Sequence, residues 1–382
     1  MYKDLLNFSF IYRILIAFIS VVAIRFLSIQ FSSEVANKFL LIFSSSGIFA
    51  VLSLGVNDKI AFDESNKAIN KPLFLFYSLS ALFCILISQI IQSEYIAIFA
   101  FVFIYPLITF DRIFQNSGEN ILAYTIQASL SISLLFYLLL NNFVNTPFFF
   151  FPLLALLVIV FCVFYFYKKI KIWNNTNPFV LVKLNFIIEN IQFTFLFGLD
   201  IILSSFFNNS IISNQFIILN RFFSLFQMII FIIPNNYYLV INGTYDFTQF
   251  YKRYFNPILI LLIIYSIFVY VASPYLLNFF LPKTDAKYTM NIFFYIIIFI
   301  ITSLTTLLGS LNTIFVKRNQ LIFREFIKKQ NYVLVLIVFL MISLYFNYLT
   351  YVTFLFLKAS IIIFFTFYLT YRIKNEVRNN NT

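Results

Sequence analysis

The 382-residue chain contains no histidine, two cysteines and six glycines. Lack of histidine excludes every catalytic triad and every metal site that depends on an imidazole. Cys84 and Cys162 lie inside apolar runs, so we predict buried packing residues and no disulfide. No nucleotide-binding glycine loop, zinc-protease motif or serine-hydrolase motif occurs, so the sequence predicts a protein that is not an enzyme and has no ATPase module, cofactor or metal.

Charged residues are also scarce, at 10% of the chain, whereas 62% of the residues are hydrophobic. A soluble domain of this length could not bury so much apolar surface, so the composition predicts an all-α polytopic membrane protein. Apolar runs of near-spanning length predict about twelve transmembrane helices, separated at Ser93-Glu94 and Asn347-Tyr348 by thin turns. The runs cover residues 9–30, 38–57, 72–92, 95–115, 120–140, 147–167, 180–206, 215–240, 256–277, 290–312, 332–347 and 351–371.

Positive charge is distributed unevenly between the two sides of these helices. If the N-terminus is cytoplasmic, most of the 26 lysines and arginines fall in inner segments, and the outer segments hold only Lys283 and Lys287. This asymmetry predicts cytoplasmic termini at both ends of the chain. The basic stretch 316–330 alternates apolar and charged residues and predicts a short amphipathic helix on the inner leaflet. The net charge of +12 therefore indicates contact with anionic lipid headgroups in the bilayer and no nucleic-acid partner.

The basic linker at residues 168–179 predicts two six-helix lobes, residues 1–167 and 180–372, with a cytoplasmic tail at 373–382. A weak internal repeat supports this division. Val35–Ile42 resembles Ile212–Leu219, and each segment begins the second predicted helix of its half. Because each half has an even number of helices, both copies have the same orientation, which is typical of parallel repeats in secondary transporters.

The seventh predicted helix carries a polar stripe. Asn185, Glu189, Gln192 and Asp200 fall on one face, within an arc of roughly 80°. Ionisable groups at membrane depth usually face a bundle interior or a solvated path, although one satisfied hydrogen-bond seam between helices would explain the stripe equally well. Glu189 and Asp200 are the only acids predicted deep inside a span, so they are candidates for ion coupling or gating. We interpret the other acids, including Asp111, as solvated.

Among the cations that fall in predicted helices, four are candidates for a substrate site. Arg13 and Arg25 belong to the first, and Arg221 and Lys358 lie about 9 Å below the outer ends of theirs. If the four converge on one cavity, that cavity would be net positive and attract an anionic substrate, with phosphate or pyrophosphate the natural partner of a guanidinium. The alternatives are snorkelling to the membrane surface and internal pairing, such as Asp200 with Arg221.

The tenth predicted helix is rich in hydroxyl groups, which either bond back to their own helix or contact a sugar-like substrate. Pro106 and Pro234 are expected to kink or end their helices. The hydroxyl residues are Thr302, Ser303, Thr305, Thr306, Ser310 and Thr313.

Several weak motifs together carry a family resemblance. They are Leu54–Asp58 (LGVND), Leu199–Ser205 (LDIILSS), Asn220-Arg221, the closing Pro234 and Val271–Pro282 (VASPYLLNFFLP). The pattern resembles the bacterial Wzx-type polysaccharide flippases of the multidrug/oligosaccharidyl-lipid/polysaccharide exporter superfamily. The chain departs from that family in being short and poor in glycine.

The resemblance implies two lobes around a central cationic cavity in the bacterial cytoplasmic (inner) membrane. The substrate would be an undecaprenyl-pyrophosphate-linked oligosaccharide, flipped by alternating access for O-antigen or capsule synthesis, with a polysaccharide polymerase and a chain-length regulator as partners. The alternatives are a polysaccharide polymerase, which would be an enzyme, and a multidrug-type exporter of the same superfamily. On this basis the headgroup-binding candidates are Arg13, Arg25, Arg221 and Lys358, and the coupling or gating candidates are Glu189 and Asp200.

Overall fold

A computed structural model describes most of the chain, and within the described residues the protein is helical except for two very short strands. The described residues form two compact units, Met1–Ile202 and Leu203–Thr382. The continuous ranges are 2–31, 68–144, 146–170, 173–175, 184–193, 200–207, 255–280, 292–318 and 320–380, and residues 35, 36, 39, 42, 49, 52, 196, 212, 215, 216, 218–220, 222, 223 and 226 are described individually.

Six helices in these ranges are long and apolar enough to cross a membrane, and a seventh span results if one bent pair of helices is counted as a single crossing. The protein is therefore an all-α, multi-pass membrane protein. The two helices of the bent pair, Ile121–Gln127 and Ser129–Phe143, meet at an angle of 60°. The six apolar stretches are Lys71–Ile91, Phe150–Lys168, Asn256–Phe280, Ile292–Gly309, Glu325–Tyr345 and Tyr351–Ile373.

The first unit begins with α1 (Tyr2–Gln30), of which Phe18–Leu27 forms a shorter apolar segment. Of the predicted second and eighth spans, 38–57 and 215–240, only isolated residues are described. The later elements of the first unit, with α9 at its boundary, are β1 (Ile69–Asn70), α2 (Lys71–Ile91), α3 (Glu94–Ile108), α4 (Asp111–Asn116), α5 (Asn120–Gln127), α6 (Ser129–Phe143), α7 (Phe150–Ile170), β2 (Trp173–Asn174), α8 (Leu184–Phe193) and α9 (Asp200–Phe207).

The turn predicted between the third and fourth spans is confirmed. Asn70 caps the start of α2 by accepting a hydrogen bond from the main-chain N–H of Leu73 at 3.0 Å. The helix ends at Gln92, whose φ of 53° is left-handed and therefore stops the helical path. After Ser93 the chain enters α3, which packs against α2 as a helical hairpin.

The predicted fourth span, 95–115, is wrong as a single helix. Pro106 lies near the end of α3, and the main-chain N–H of Thr109 and its hydroxyl both donate to the carbonyl of Pro106. This turn redirects the chain into the short α4. The expectation that Pro106 kinks or ends its helix is confirmed, whereas Pro234 lies outside the described residues.

The two short strands join distant loops of the first unit. β1 and β2 pair in parallel, with Ile69 opposite Trp173 and Asn70 opposite Asn174. The segment before α2 and the segment after α7 therefore lie at the same end of this unit. The sequence places both segments in the cytoplasm, and their pairing agrees with that assignment to one common side.

The second unit contains four long helices: α10 (Asn256–Phe280), α11 (Ile292–Arg318), α12 (Gln320–Tyr345) and α13 (Tyr351–Asn380). The turn predicted between the last two is confirmed, because α12 ends before Asn347, whose φ is 61°. Consecutive helices pack on one another, and α11 also packs on α13. Since α11 and α13 are each joined to α12 by a short connection, they run in the same direction.

The amphipathic surface helix predicted at 316–330 is wrong as a separate element. α12 runs without interruption from Gln320 to Tyr345, because no proline or glycine follows the basic residues to end it. Phe326 and Ile327 are buried, and the ring of Phe326 lies 5.9 Å from that of Phe365 on α13. Packing against α13 therefore keeps this segment continuous with the membrane-spanning part of α12.

One aromatic contact recurs in both units. Phe39 and Phe216 occupy equivalent positions in the two repeat segments, and both are buried. The ring of Phe39 lies 5.8 Å from that of Phe151 near the start of α7, and the ring of Phe216 lies 5.8 Å from that of Tyr351 at the start of α13. Because α7 and α13 are the sixth predicted helices of their halves, this shared contact supports the internal repeat.

Candidate functional site

The structure places four of the six predicted site side chains. Arg25, Glu189 and Asp200 belong to the first unit, and Lys358 belongs to the second. Arg221 and the side chain of Arg13 lie outside the described residues. The predicted convergence of these groups on one cavity stays a prediction, and so does the pairing of Asp200 with Arg221.

Lys358 is the most deeply buried of the four. Its side chain is only 2% exposed, although it lies within the apolar stretch Tyr351–Ile373 of α13. It lies about 10 Å along the helix from Tyr351. An ammonium group at this depth is costly and is usually retained because it faces the protein interior, where it binds a partner or a substrate. Its burial shows that the Lys358 side chain faces the protein interior, since a lipid-facing lysine would be exposed in the structure.

The hydroxyl-rich part of α11 lies at the depth of Lys358. A Cβ added at Gly309 would lie 4.0 Å from Cγ2 of Thr366, which places these two residues opposite each other on the parallel helices α11 and α13. Lys358 and Ile301 each lie eight residues before that contact, about 12 Å along the axis. Lys358 is therefore level with Thr302 and Ser303.

Most of the described hydroxyls on α11 bond back to their own helix, as one of the two sequence interpretations predicted. Thr302 donates to the carbonyl of Ile298 at 2.9 Å, and Thr305 and Thr306 donate to carbonyls four residues earlier at 2.9 and 2.8 Å. Ser303 differs, because it is fully buried and its Oγ has no hydrogen-bond partner among the described residues. Among the described hydroxyls of this stretch, that of Ser303 is the one without a hydrogen bond.

The structure describes part of the polar stripe that was predicted around Glu189. Glu189 and Gln192 are both buried on α8, whereas Leu184 and Ile191 on the same helix are exposed. Polar groups facing inward and apolar groups facing outward are the arrangement expected of a helix in lipid. Asp200 is half-buried at the first residue of α9, and the side chain of Asn185 lies outside the described residues.

Arg25 lies on α1, which is joined to α5 and α6 by a seam of hydrogen bonds. Tyr12 shares a hydrogen bond of 2.6 Å with Thr125, and Ser20 donates to Ser131 at 2.8 Å. Gln30 donates to the carbonyl of Leu138 at 3.1 Å and to Oδ1 of Asn142 at 2.7 Å. Arg25 is about 140° around the helix from each of the three seam residues of α1, so it is on a different face.

One buried acid was interpreted wrongly from the sequence. Asp111, predicted to be solvated, is buried, and its carboxylate accepts a hydrogen bond from Nε2 of Gln127. It is the first residue of α4, where an acidic side chain interacts favourably with the unpaired N–H groups of a helix start. The sequence offered one local signal, Pro106, which is expected to end a helix shortly before Asp111.

The structure also shows a cluster of charged and polar side chains that the sequence did not reveal. At the basic end of the second unit, Nη2 of Arg372 lies 3.1 Å from Oε1 of Glu325, and Nζ of Lys329 donates to the hydroxyl of Tyr368 at 3.2 Å. These residues join the ends of α12 and α13. The sequence placed their charges on the cytoplasmic side but could not show that they meet.

The described residues contain no group of three cysteine or acidic side chains that could hold a metal ion. The described residues include a buried ammonium and a buried hydroxyl at similar depth in the second unit, and a buried acid and a buried amide on one helix of the first. Such groups bind or move ions and polar substrates within a membrane. Comparison of the chain with protein-family models, with curated proteins and with solved structures finds no match.

Proposed function

We propose that this protein translocates undecaprenyl-pyrophosphate-linked oligosaccharide repeat units across the bacterial cytoplasmic membrane for O-antigen or capsule synthesis. The observation that carries the proposal is Lys358, an ammonium that is almost completely buried within a membrane-spanning helix. A cation held at this depth favours an anionic substrate group, and the pyrophosphate of the lipid carrier is such a group.

The setting of Lys358 fits this substrate. Ser303, at the same depth, has an available hydroxyl that can bond to a sugar or a phosphate oxygen. The other described hydroxyls of α11 donate to carbonyls of their own helix.

The proposal includes the finer architecture predicted from the sequence. Twelve helices would form two six-helix lobes with both termini in the cytoplasm and a cationic cavity between them. That cavity would be lined by Arg13, Arg25, Arg221 and Lys358. Glu189 and Asp200 would couple transport to an ion or gate it, and the cavity would open alternately to each side.

The test is to delete the gene in its host and to locate the lipid-linked repeat units with a sugar-specific probe that cannot cross the membrane. We expect single repeats to accumulate on the cytoplasmic side while surface polymer is lost. Re-expression of the intact chain should restore both, and Lys168→Met, which removes an exposed lysine at the end of α7, should restore them equally well.

Two other outcomes would contradict the proposal and support a different function. Single repeats that reach the outer face but remain unpolymerised would identify a polysaccharide polymerase. Unchanged lipid-linked sugars, together with increased sensitivity to toxic small molecules, would identify a multidrug-type exporter.

A further inference from the structure

The ends of α12 and α13 enclose an open pocket with two chemically different parts. Its rim is polar and its floor is apolar. The rim consists of Glu325, Lys329, Tyr368 and Arg372, and the floor includes Phe326 and Leu369.

The pocket lies where the membrane boundary is expected. Glu325 is the first residue of the apolar stretch Glu325–Tyr345, and Ile373, which also lines the pocket, is the last residue of Tyr351–Ile373. Lys329 and Tyr368 are each about one helical turn further into the apolar stretches. The pocket thus lies at the depth where lipid headgroups meet the first methylenes of the acyl chains.

The rim holds two cations and one acid. Arg372 is paired with Glu325, yet both side chains are 46% exposed, so the guanidinium is accessible to a lipid headgroup. Nζ of Lys329 lies over the ring of Tyr368, 5.3 Å from its centroid, in addition to its hydrogen bond with the hydroxyl. The two cations on neighbouring helices therefore outnumber the single carboxylate between them.

We propose that this pocket binds the headgroup of an anionic phospholipid, such as phosphatidylglycerol, from the leaflet that faces it. The phosphate would bind to Lys329 and Arg372, and the first methylenes of the acyl chains would contact the apolar floor. A zwitterionic lipid should bind less tightly, because its own ammonium group is repelled by the two cations. This inference goes beyond the proposed transport function and does not depend on it.

The test uses the purified full-length chain in detergent, titrated with phosphatidylglycerol or with phosphatidylcholine of the same acyl composition and followed by native mass spectrometry. We expect phosphatidylglycerol to bind preferentially. Lys329→Gln and Arg372→Gln should each weaken that binding about fivefold, which is the effect of one basic residue at an anionic lipid surface. Glu325→Gln should strengthen it, since it removes the carboxylate that competes for Arg372.

Lys328→Gln is the matched control. It removes the same charge from an exposed neighbour of Lys329 that does not line the pocket, so binding should change less than about twofold. Lys329→Arg keeps the charge and should retain binding, which separates loss of the site from loss of folding. Equal binding of the two lipids, or an equal loss in Lys328→Gln, would overturn the proposal. Binding of inorganic phosphate as tightly as phosphatidylglycerol would also overturn it, because the floor would then contribute nothing.

Discussion

Two helix interfaces, that of α1 with α5 and α6 and that of α11 with α13, contain hydroxyl groups that form different kinds of hydrogen bond. Along α1, the hydroxyls of Tyr12 and Ser20 bond across to α5 and α6. Along α11, which faces α13, Thr302 and Thr305 bond back to their own helix. In lipid there is little hydrophobic force between helices, so hydrogen bonds across an interface and close packing determine how firmly it is held. Among the described contacts, hydrogen bonds hold the first interface and packing holds the second, so we infer that the second is the better candidate for movement.

The largest effect is expected at Lys358, the buried lysine of α13, the helix that forms one side of the second interface. Lys358→Met keeps the length of the side chain but removes its charge, so we expect export of surface polymer to fall at least about tenfold. Lys358→Arg should retain more activity than Lys358→Met because the charge remains. The measurement is surface polymer per molecule of protein in the membrane, together with lipid-linked repeats on the cytoplasmic side. Full export by Lys358→Met would remove Lys358 from the binding site and leave the interface with a structural role only.

An intermediate effect is expected at Gln30, where the first interface has two hydrogen bonds. Gln30→Leu should lower the free energy of unfolding by about 1 kcal/mol, since interhelical hydrogen bonds in membrane proteins contribute modestly. Thr305→Val, the corresponding change at the second interface, removes a hydroxyl that bonds only within its helix and should have a smaller effect. Both variants can be compared by unfolding in mixed micelles. Equal losses of stability would contradict the distinction between the two interfaces.

The smallest effect is expected at Gly309, where α11 approaches Thr366 of α13. Gly309→Ala would introduce a Cβ at an ordinary contact distance of 4.0 Å and would improve helix propensity, so stability should stay the same or rise by less than about 1 kcal/mol. Thermal unfolding measures this change. A clear loss of stability would show that the helices are closer than the contact with Thr366 indicates, and that the second interface is tightly fitted after all.

The parts of the fold that depend on local chemistry could be predicted from the sequence. The thin turns at Ser93 and Asn347 could be predicted because polar residues interrupt apolar runs that are each long enough to span. The run 316–330 was misjudged because alternating charge looks the same on a surface helix and on the extended end of a span. Only the packing of Phe326 against α13 distinguishes the two cases.

The candidate site was predictable residue by residue but not as an arrangement. A lysine within an apolar helix is conspicuous, so Lys358 could be selected without a structure, and its burial is confirmed. Its depth relative to Ser303 depends on the register between α11 and α13, which no periodicity within one helix encodes. The burial of Asp111 was missed for a related reason, because its partner Gln127 belongs to another helix.

The pairing of β1 with β2 has a consequence for how the chain is inserted during synthesis. The two strands can meet only if the segment between them crosses the membrane an even number of times. α2 and α7 each qualify as crossings, and the seam with α1 follows α5 and α6 over about 27 Å, close to the thickness of the hydrocarbon. If the bent pair counts as one crossing, the total is even only when α3, which has 15 residues, crosses as well. The strand pair can therefore form only after the helices between the strands have been inserted correctly. One missed insertion would leave Ile69 and Trp173 on opposite faces of the membrane.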